Sequence, residues 1–233
     1  MNRIDNKRAI EWEVSEFLFD MDGTLLDSIA AVEQAWHEWA VEEGVTIPDG
    51  ESFHGRTSRD LAAAFVPEER ITAALLRLSE IEQHPRAPVT PLPGALELLA
   101  AVPGDRCAVV TSAARLVAQA RLAAGGIAPP ALLITGDDVT RGKPDPEPYR
   151  TGTRWARNGV PPVAFEDTVA GLRSARSAGC LTVGLPGTAT AAELQAHADA
   201  VVTSLADVAV IVGTDGSLRV RLHALDPLSH PTV

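Results

Sequence analysis

The chain has 233 residues, 45% of them hydrophobic and 22% charged, with aromatics at only 4% and a formal net charge of −11. That balance excludes a disordered chain and fits a globular protein with a mostly aliphatic core, built as one large domain or as a main domain with a smaller insert. The acidic surplus argues against general affinity for nucleic acid or anionic membrane, each of which needs a basic face, and it means that an anionic substrate needs local positive charge.

The opening residues MNRIDNKRAIEWEVSE contain no apolar signal region, and no apolar run approaches the roughly 18 residues of a membrane span, so a soluble, cytoplasmic protein is expected. The next stretch, FLFDMDGTLLDS from Phe17 to Ser28, starts as a short apolar run suited to a buried strand, Phe17–Asp20, and then crowds three aspartates. Asp20 and Asp22, two apart, share a face of extended backbone, where two carboxylates repel unless a cation holds them. A hard divalent ion reconciles them most cheaply, and Mg²⁺ takes one or two carboxylates while leaving room for water and a substrate phosphate. Asp27 with Ser28 fits a polar turn or helix cap. Gly23 and Thr24 fit a tight turn whose backbone N–H groups suit phosphate oxygens.

From about Ile29 to Val89 no strand is predicted. In AAVEQAWHEWAVEEG, Val32, Ala35, Trp36 and Trp39 follow i, i+3, i+4, i+7 spacing, which predicts a helix with both tryptophans in its core face and Gly44 as its stop. Ser58 is the expected N-cap of a helix in SRDLAAAFV, and Pro67 followed by acidic residues opens another in PEERITAALLRLSEIEQ. The proline-rich HPRAPVTPLPG reads as a hinge back to the main domain. The expected organisation is a core domain of residues 1–28 and 90–233 with a helical cap, 29–89, hanging over the edge of its sheet.

Apolar runs recur at Cys107–Thr111, Ala131–Thr135, Val163–Glu166, Leu181–Leu185 and Ala200–Val202, with helix-like segments between most of them. That alternation predicts an α/β fold, a Rossmann-like doubly wound parallel sheet with crossover helices on both faces. Such sheets bind ligands beyond the carboxyl ends of their strands. At those ends Thr111 and Ser112 of VVTSA offer hydroxyl and backbone donors, and Lys143 of GKPDPEPY offers positive charge. Glu166 and Asp167 of FEDTVAGLRSARSAG offer further oxygen ligands to the same ion. Cys107 and Cys180 lie in apolar segments without CxxC or histidine company and are expected to be buried free thiols. Beyond about Gly213 the chain reads as an edge strand or a loose terminus, with no function assigned.

In this order, FDMDGTLLDS, VVTSA, GKPDPEPY and FEDTVAGLRSARSAG resemble the four motifs of the haloacid dehalogenase superfamily of aspartate-nucleophile phosphotransferases, over Phe17 to about Leu205. The resemblance implies that Asp20 is the nucleophile and forms an aspartyl-phosphate. It implies that Asp22 protonates the leaving alcohol and then, as its conjugate base, activates water. Mg²⁺ would be held by Asp20, the backbone carbonyl of Asp22 and Asp167, with Glu166 as a direct or water-mediated ligand. Thr111 and Lys143 would bind phosphoryl oxygens, Lys143 also restraining Asp20. The insert resembles the small helical C1-type cap of the family, which closes over substrate and excludes water.

Members that displace halide lack the second aspartate, so Asp22 speaks against dehalogenation, and the membrane spans of the transport-ATPase members are missing from this sequence. The cap segment FHGRTSRD is similar to the His-Gly-Arg motif of bacterial phosphatases acting on hexose and polyol phosphates. That likeness implies substrate contacts from His54 and Arg56, with Arg59 and Asp60 assisting or merely supporting the cap helix. Thr168 departs mildly from the serine or other small residue common after the acidic pair. The implied function is Mg²⁺-dependent hydrolysis of a sugar or polyol phosphate by a monomer or weak homodimer. One alternative is a phosphomutase of the β-phosphoglucomutase type, whose cap holds a second phosphate, usually with an arginine and a lysine; residues 29–89 contain no lysine. The other is a catalytically silent binding module, which the filled catalytic positions disfavour.

Overall fold

The structure is a computed structural model that describes residues 7–48, 53, 57–155 and 159–226. Strand β1 (Lys7–Val14) is followed by the short, wholly buried β2 (Phe17–Phe19). Then β3 (Leu26–Asp27) leads into three helices, α1 (Ile29–Glu43), α2 (Ser58–Ala62) and α3 (Glu68–Glu82), and β4 (Thr90–Pro91) leads out of them. There follow α4 (Ala95–Ala101), β5 (Cys107–Val110), α5 (Arg115–Ala124), β6 (Leu133–Ile134) and α6 (Glu147–Gly152). After these come β7 (Val163–Glu166), α7 (Val169–Ser177), β8 (Leu181–Gly184), α8 (Ala191–Gln195), β9 (Ala200–Val201), β10 (Val208–Val212) and β11 (Leu218–Leu225).

The central sheet has six parallel strands in the order β6-β5-β2-β7-β8-β9. Its strands are apolar on both faces because helices cover both. On one face Phe17, Phe19 and Phe165 stack, the last two with ring centroids 5.0 Å apart; on the other, Leu18, Ala108, Val110 and Ala164 pack with Tyr149. Strand order reverses direction at β2, so the crevice at its carboxyl end is a topological switch point, and Asp20 is the first residue past that end. The doubly wound α/β architecture is as the sequence predicts, although β6 is shorter than the run Ala131–Thr135.

The chain ends depart from expectation. β1, β11 and β10 form a separate antiparallel sheet with β11 in the middle, paired on both sides. Leu218, Val220, Leu222 and Ala224 alternate inward and are buried in the main core, so this segment is neither an edge strand nor a loose terminus.

Helices α1 to α3 share their own apolar cluster, with Trp36 and Trp39 edge-on at 5.2 Å and the Trp39 indole N–H donating to the Ala74 carbonyl at 2.9 Å. Gly44 ends α1 in the left-handed conformation, φ 69°, as its position predicts. The cap of α2 is Thr57 rather than Ser58: its hydroxyl accepts from the Asp60 N–H at 3.2 Å. β3 and β4 pair antiparallel, so the two connections to the helical unit lie side by side. Asp27 is therefore a strand residue opposite Thr90 rather than a turn or cap. No helix among the described residues is long and apolar enough to cross a membrane. Both cysteines are free, Cys180 buried and Cys107 only partly so, and burial pushes their thiols up to about 12 and about 11.

Candidate active site

Asp20 is fixed by its backbone first: its N–H donates to the Phe165 carbonyl of β7 at 3.0 Å, which sets the end of β2 against the Glu166–Asp167 pair. Lys143, on the loop before α6, is buried at 3% exposure and gives its ammonium three acceptors. These are Asp20 Oδ1 at 2.6 Å, Glu166 Oε1 at 2.6 Å and the Val110 carbonyl at 3.0 Å. Glu166 is held from behind, accepting from the Tyr149 hydroxyl at 2.7 Å and from the Thr168 hydroxyl at 3.1 Å. Burial by itself would lower the Lys143 ammonium, but Asp20 and Glu166 outweigh it and hold it above its ordinary value.

Asp20, Glu166 and Asp167 can each bring one oxygen within 4.8 Å of the others, and all three are buried. Three carboxylates against one ammonium leave a surplus of negative charge. Burial pushes the Asp20 carboxyl well above the ordinary value; Lys143 opposes this, while Glu166 and Asp167 add to it. Burial and the neighbouring Glu166 push Asp167 up to about 7. Both Asp167 oxygens are buried and neither takes part in a hydrogen bond of good geometry, Thr188 alongside only partly offsetting the rise, and buried carboxylate oxygens left in that state call for a cation. Gly23 keeps the space open: with φ +83° it occupies the left-handed region, and a Cβ there would lie 2.1 Å from Asp167 Oδ2. A hard divalent ion such as Mg²⁺ fits this donor set in charge and in chemistry.

The Asp22 carboxyl group stands apart from that trio. Ser28 donates to its Oδ1 at 2.6 Å and Arg121 to its Oδ2 at 2.9 Å. Thr111 is buried at the end of β5, its hydroxyl accepting from the Ala113 N–H at 3.1 Å, and the Ser112 hydroxyl beside it has no partner. Asp20, Asp22, Thr111, Ser112 and Asp167 line one cleft, closed on the helical side by Trp36, Phe53 and Glu82. Gly23 and Thr24 do not offer the amides expected of them. The Gly23 N–H donates to the Leu26 carbonyl at 2.8 Å and that of Thr24 to Met21 at 3.4 Å, because the turn uses both to close itself.

His54 and Arg56 lie outside the described residues. Arg59 pairs with Glu68 at 3.3 Å on the surface, and Asp60 accepts from the Thr57 hydroxyl at 2.6 Å, so their contacts lie within and between α2 and α3. Sequence reasoning missed Tyr149, Glu82 and Arg121. For Arg121 a signal was present: it falls on the buried face of α5 with Val117, Ala118 and Leu122, where an unpaired cation does not belong.

The profile of the family described as "Haloacid dehalogenase-like hydrolase" matches residues 17–185. The chain is 36% identical to "Hexitol phosphatase A" of Escherichia coli (strain K12), over 88% of this chain and 98% of that one. It is 37% identical to "Validoxylamine A 7'-phosphate phosphatase" of Streptomyces hygroscopicus subsp. limoneus, over 82% and 94%. Its fold superposes on a hydrolase from Pseudomonas syringae with a TM-score of 0.69 and 25% identity, over 82% of this chain and 93% of that one. With the matched region running from the first strand-end aspartates through the second acidic pair, and the sheet order placing both at one crevice, the chain belongs to the haloacid dehalogenase-like hydrolase family.

Proposed function

We propose that the protein is a Mg²⁺-dependent phosphatase that hydrolyses a small phosphate monoester, of the sugar or polyol phosphate class, through a phosphorylated Asp20. The observation that carries this reading is the Lys143 clamp on Asp20 beside the partnerless oxygens of Asp167. An aspartate whose Oδ1 is pinned by a buried ammonium keeps Oδ2 as the oxygen to attack phosphorus, and the same ammonium draws a phosphate into an acidic protein. When bound by Asp20, Asp167 and the Asp22 carbonyl, Mg²⁺ supplies charge neutralisation on the phosphoryl oxygens. Glu166 fixes Lys143 from the far side, a role its four contacts favour over direct metal ligation. Asp22 passes a proton to the leaving oxygen and later takes one from water. Thr111 and Ser112 present hydroxyls to the phosphoryl group.

Residues 29–89 act as the cap, with His54 and Arg56 as substrate contacts and Trp36, Phe53 and Glu82 closing the cleft over the leaving group. The named phosphatase relatives support the substrate class. We read it as a cytoplasmic enzyme, a monomer or weak homodimer.

The test is a Mg²⁺-dependent phosphate-release screen of the purified protein over hexose, hexitol, pentose, glycerol and glycolate phosphates, with Asp20→Asn as the blank. Release from a polyol or sugar monophosphate that the variant and EDTA both abolish is expected. Isomerisation of a sugar phosphate without phosphate release would replace this reading with the mutase.

A further inference from the structure

Arg121 is the one cation among the described residues lining the cleft, and it is buried at 3% exposure, on α5. Its two terminal nitrogens go to two carboxylates: Nη1 to Asp22 Oδ2 at 2.9 Å and Nη2 to Glu82 Oε1 at 2.8 Å. Glu82 is itself buried and is the last residue of α3, in the apolar neighbourhood of the helical unit, whereas Asp22 belongs to the turn after β2. The guanidinium therefore spans two parts of the fold. Its third nitrogen, Nε, is buried with no partner, so the side chain is not placed to satisfy its own donors. It is placed where its planar fork meets both acids.

We infer that Arg121 is a positioning residue for the Asp22 carboxyl group, held to that task by Glu82 of the helical cap. The inference rests on the proposed phosphatase reading. In the first step an Asp20 oxygen bonds to phosphorus while the ester P–O bond breaks, and the departing oxygen keeps the bonding pair and takes the proton of Asp22. In the second step a water oxygen bonds to phosphorus and gives a proton to Asp22 while the Asp20–phosphorus bond breaks, releasing phosphate and restoring both aspartates. One carboxyl group must stay aimed through both transfers, yet it hangs on freely rotating single bonds. Ser28 takes one of its oxygens and Arg121 the other, so the group is fixed at both atoms, and loss of such aim is costly to proton transfer.

The discriminating measurement compares leaving groups within one protein preparation. An alkyl phosphate, the best substrate of the screen above, needs a proton on its departing oxygen; 4-nitrophenyl phosphate releases a stable phenolate and does not. The ratio of kcat/KM for the alkyl ester to that for the aryl ester thus reads the demand for the acid together with any difference in how the cleft holds the two leaving groups; the fraction of correctly folded enzyme cancels from it, and an Asp22→Asn background, where the acid is gone, isolates the second part. In Arg121→Met the ratio is expected to fall at least about tenfold, with Arg121→Lys between it and the wild type because an ammonium lacks the two-pronged reach. Glu82→Gln is expected to lower the ratio in the same direction; an unchanged ratio overturns the part given to Glu82. Asp22→Asn sets the full loss. If Asp22→Asn lowers the ratio and Arg121→Met lowers both substrates equally or neither, the positioning role is overturned while the phosphatase reading stands. If Asp22→Asn leaves the ratio unchanged, the acid role of Asp22 and this inference fall together.

Discussion

Lys143 is the residue on which the buried charges balance. Its three donors are all taken, two of them by buried carboxylates that would otherwise face each other. Replacing it by methionine keeps the length of the side chain and removes the charge, so Asp20 and Glu166 are left as an uncompensated buried pair. Lys143→Met is expected to lose about 10²-fold or more in kcat and about 3 kcal/mol of stability in a urea titration. A variant of wild-type stability would show that the acids are not charged in the folded state. Behind Lys143, Glu166 fits against the backbone of Gly171, where a Cβ would lie 1.9 Å from the Glu166 carboxyl carbon. Alanine favours a helix interior over glycine by about 1 kcal/mol, so on propensity alone Gly171→Ala should stabilise α7. It is expected instead to lower both the melting temperature and kcat, because Glu166 must leave the Tyr149 and Thr168 hydroxyls. A raised melting temperature would show that Glu166 has room to give.

At the scale of elements, the sequence carried the parts that local pattern encodes. The apolar runs of β2, β5, β7 and β8 and the 3.6-residue spacing of Val32, Ala35, Trp36 and Trp39 mark buried strands and a helix directly. So does the placing of Asp20, Thr111 and Asp167 just past strand ends, which is why their meeting at one cleft could be expected without coordinates. The Arg121 bridge was out of reach, since its partners lie 99 and 39 residues away in sequence. The terminal sheet was missed for a related reason: β1 is a charged, half-exposed alternation whose only guarantee is pairing with β11 at the other end of the chain. Trp36 and Trp39 look alike in the periodicity but differ in place. Trp39 is interior and donates to Ala74, while Trp36 stacks on Phe53 at 5.3 Å and lines the cleft. Trp39→Phe should therefore cost about 1 kcal/mol through the lost hydrogen bond and leave the substrate profile alone, whereas Trp36→Phe should shift KM or substrate preference. Identical kinetic profiles for the two variants would remove Trp36 from the substrate face.

For the molecule as a whole, the buried acids tie stability to pH and, on the proposed reading, to a divalent ion. The Asp167 carboxyl rises from its ordinary 3.8 to about 7 in the folded chain, and Asp20 is raised as well. Between those two values the metal-free folded state binds more protons than the unfolded one, so its stability falls as pH rises, the share due to Asp167 being lost by just above pH 7. A divalent ion in the same site replaces those protons: its binding releases them, and it stabilises most where they have already gone. The melting temperature in EDTA is thus expected to drop from about pH 5 to about pH 8, and the increment from added Mg²⁺ to be several degrees larger at the higher pH. Asp167→Asn removes the titrating group and a ligand together, so both the slope in EDTA and the Mg²⁺ increment should shrink in this variant. A wild-type protein whose melting temperature in EDTA is flat across that range, with equal Mg²⁺ increments at both ends, would mean that Asp167 is ionised in the empty site, and that the charge surplus of three carboxylates over Lys143 is tolerated without proton or metal.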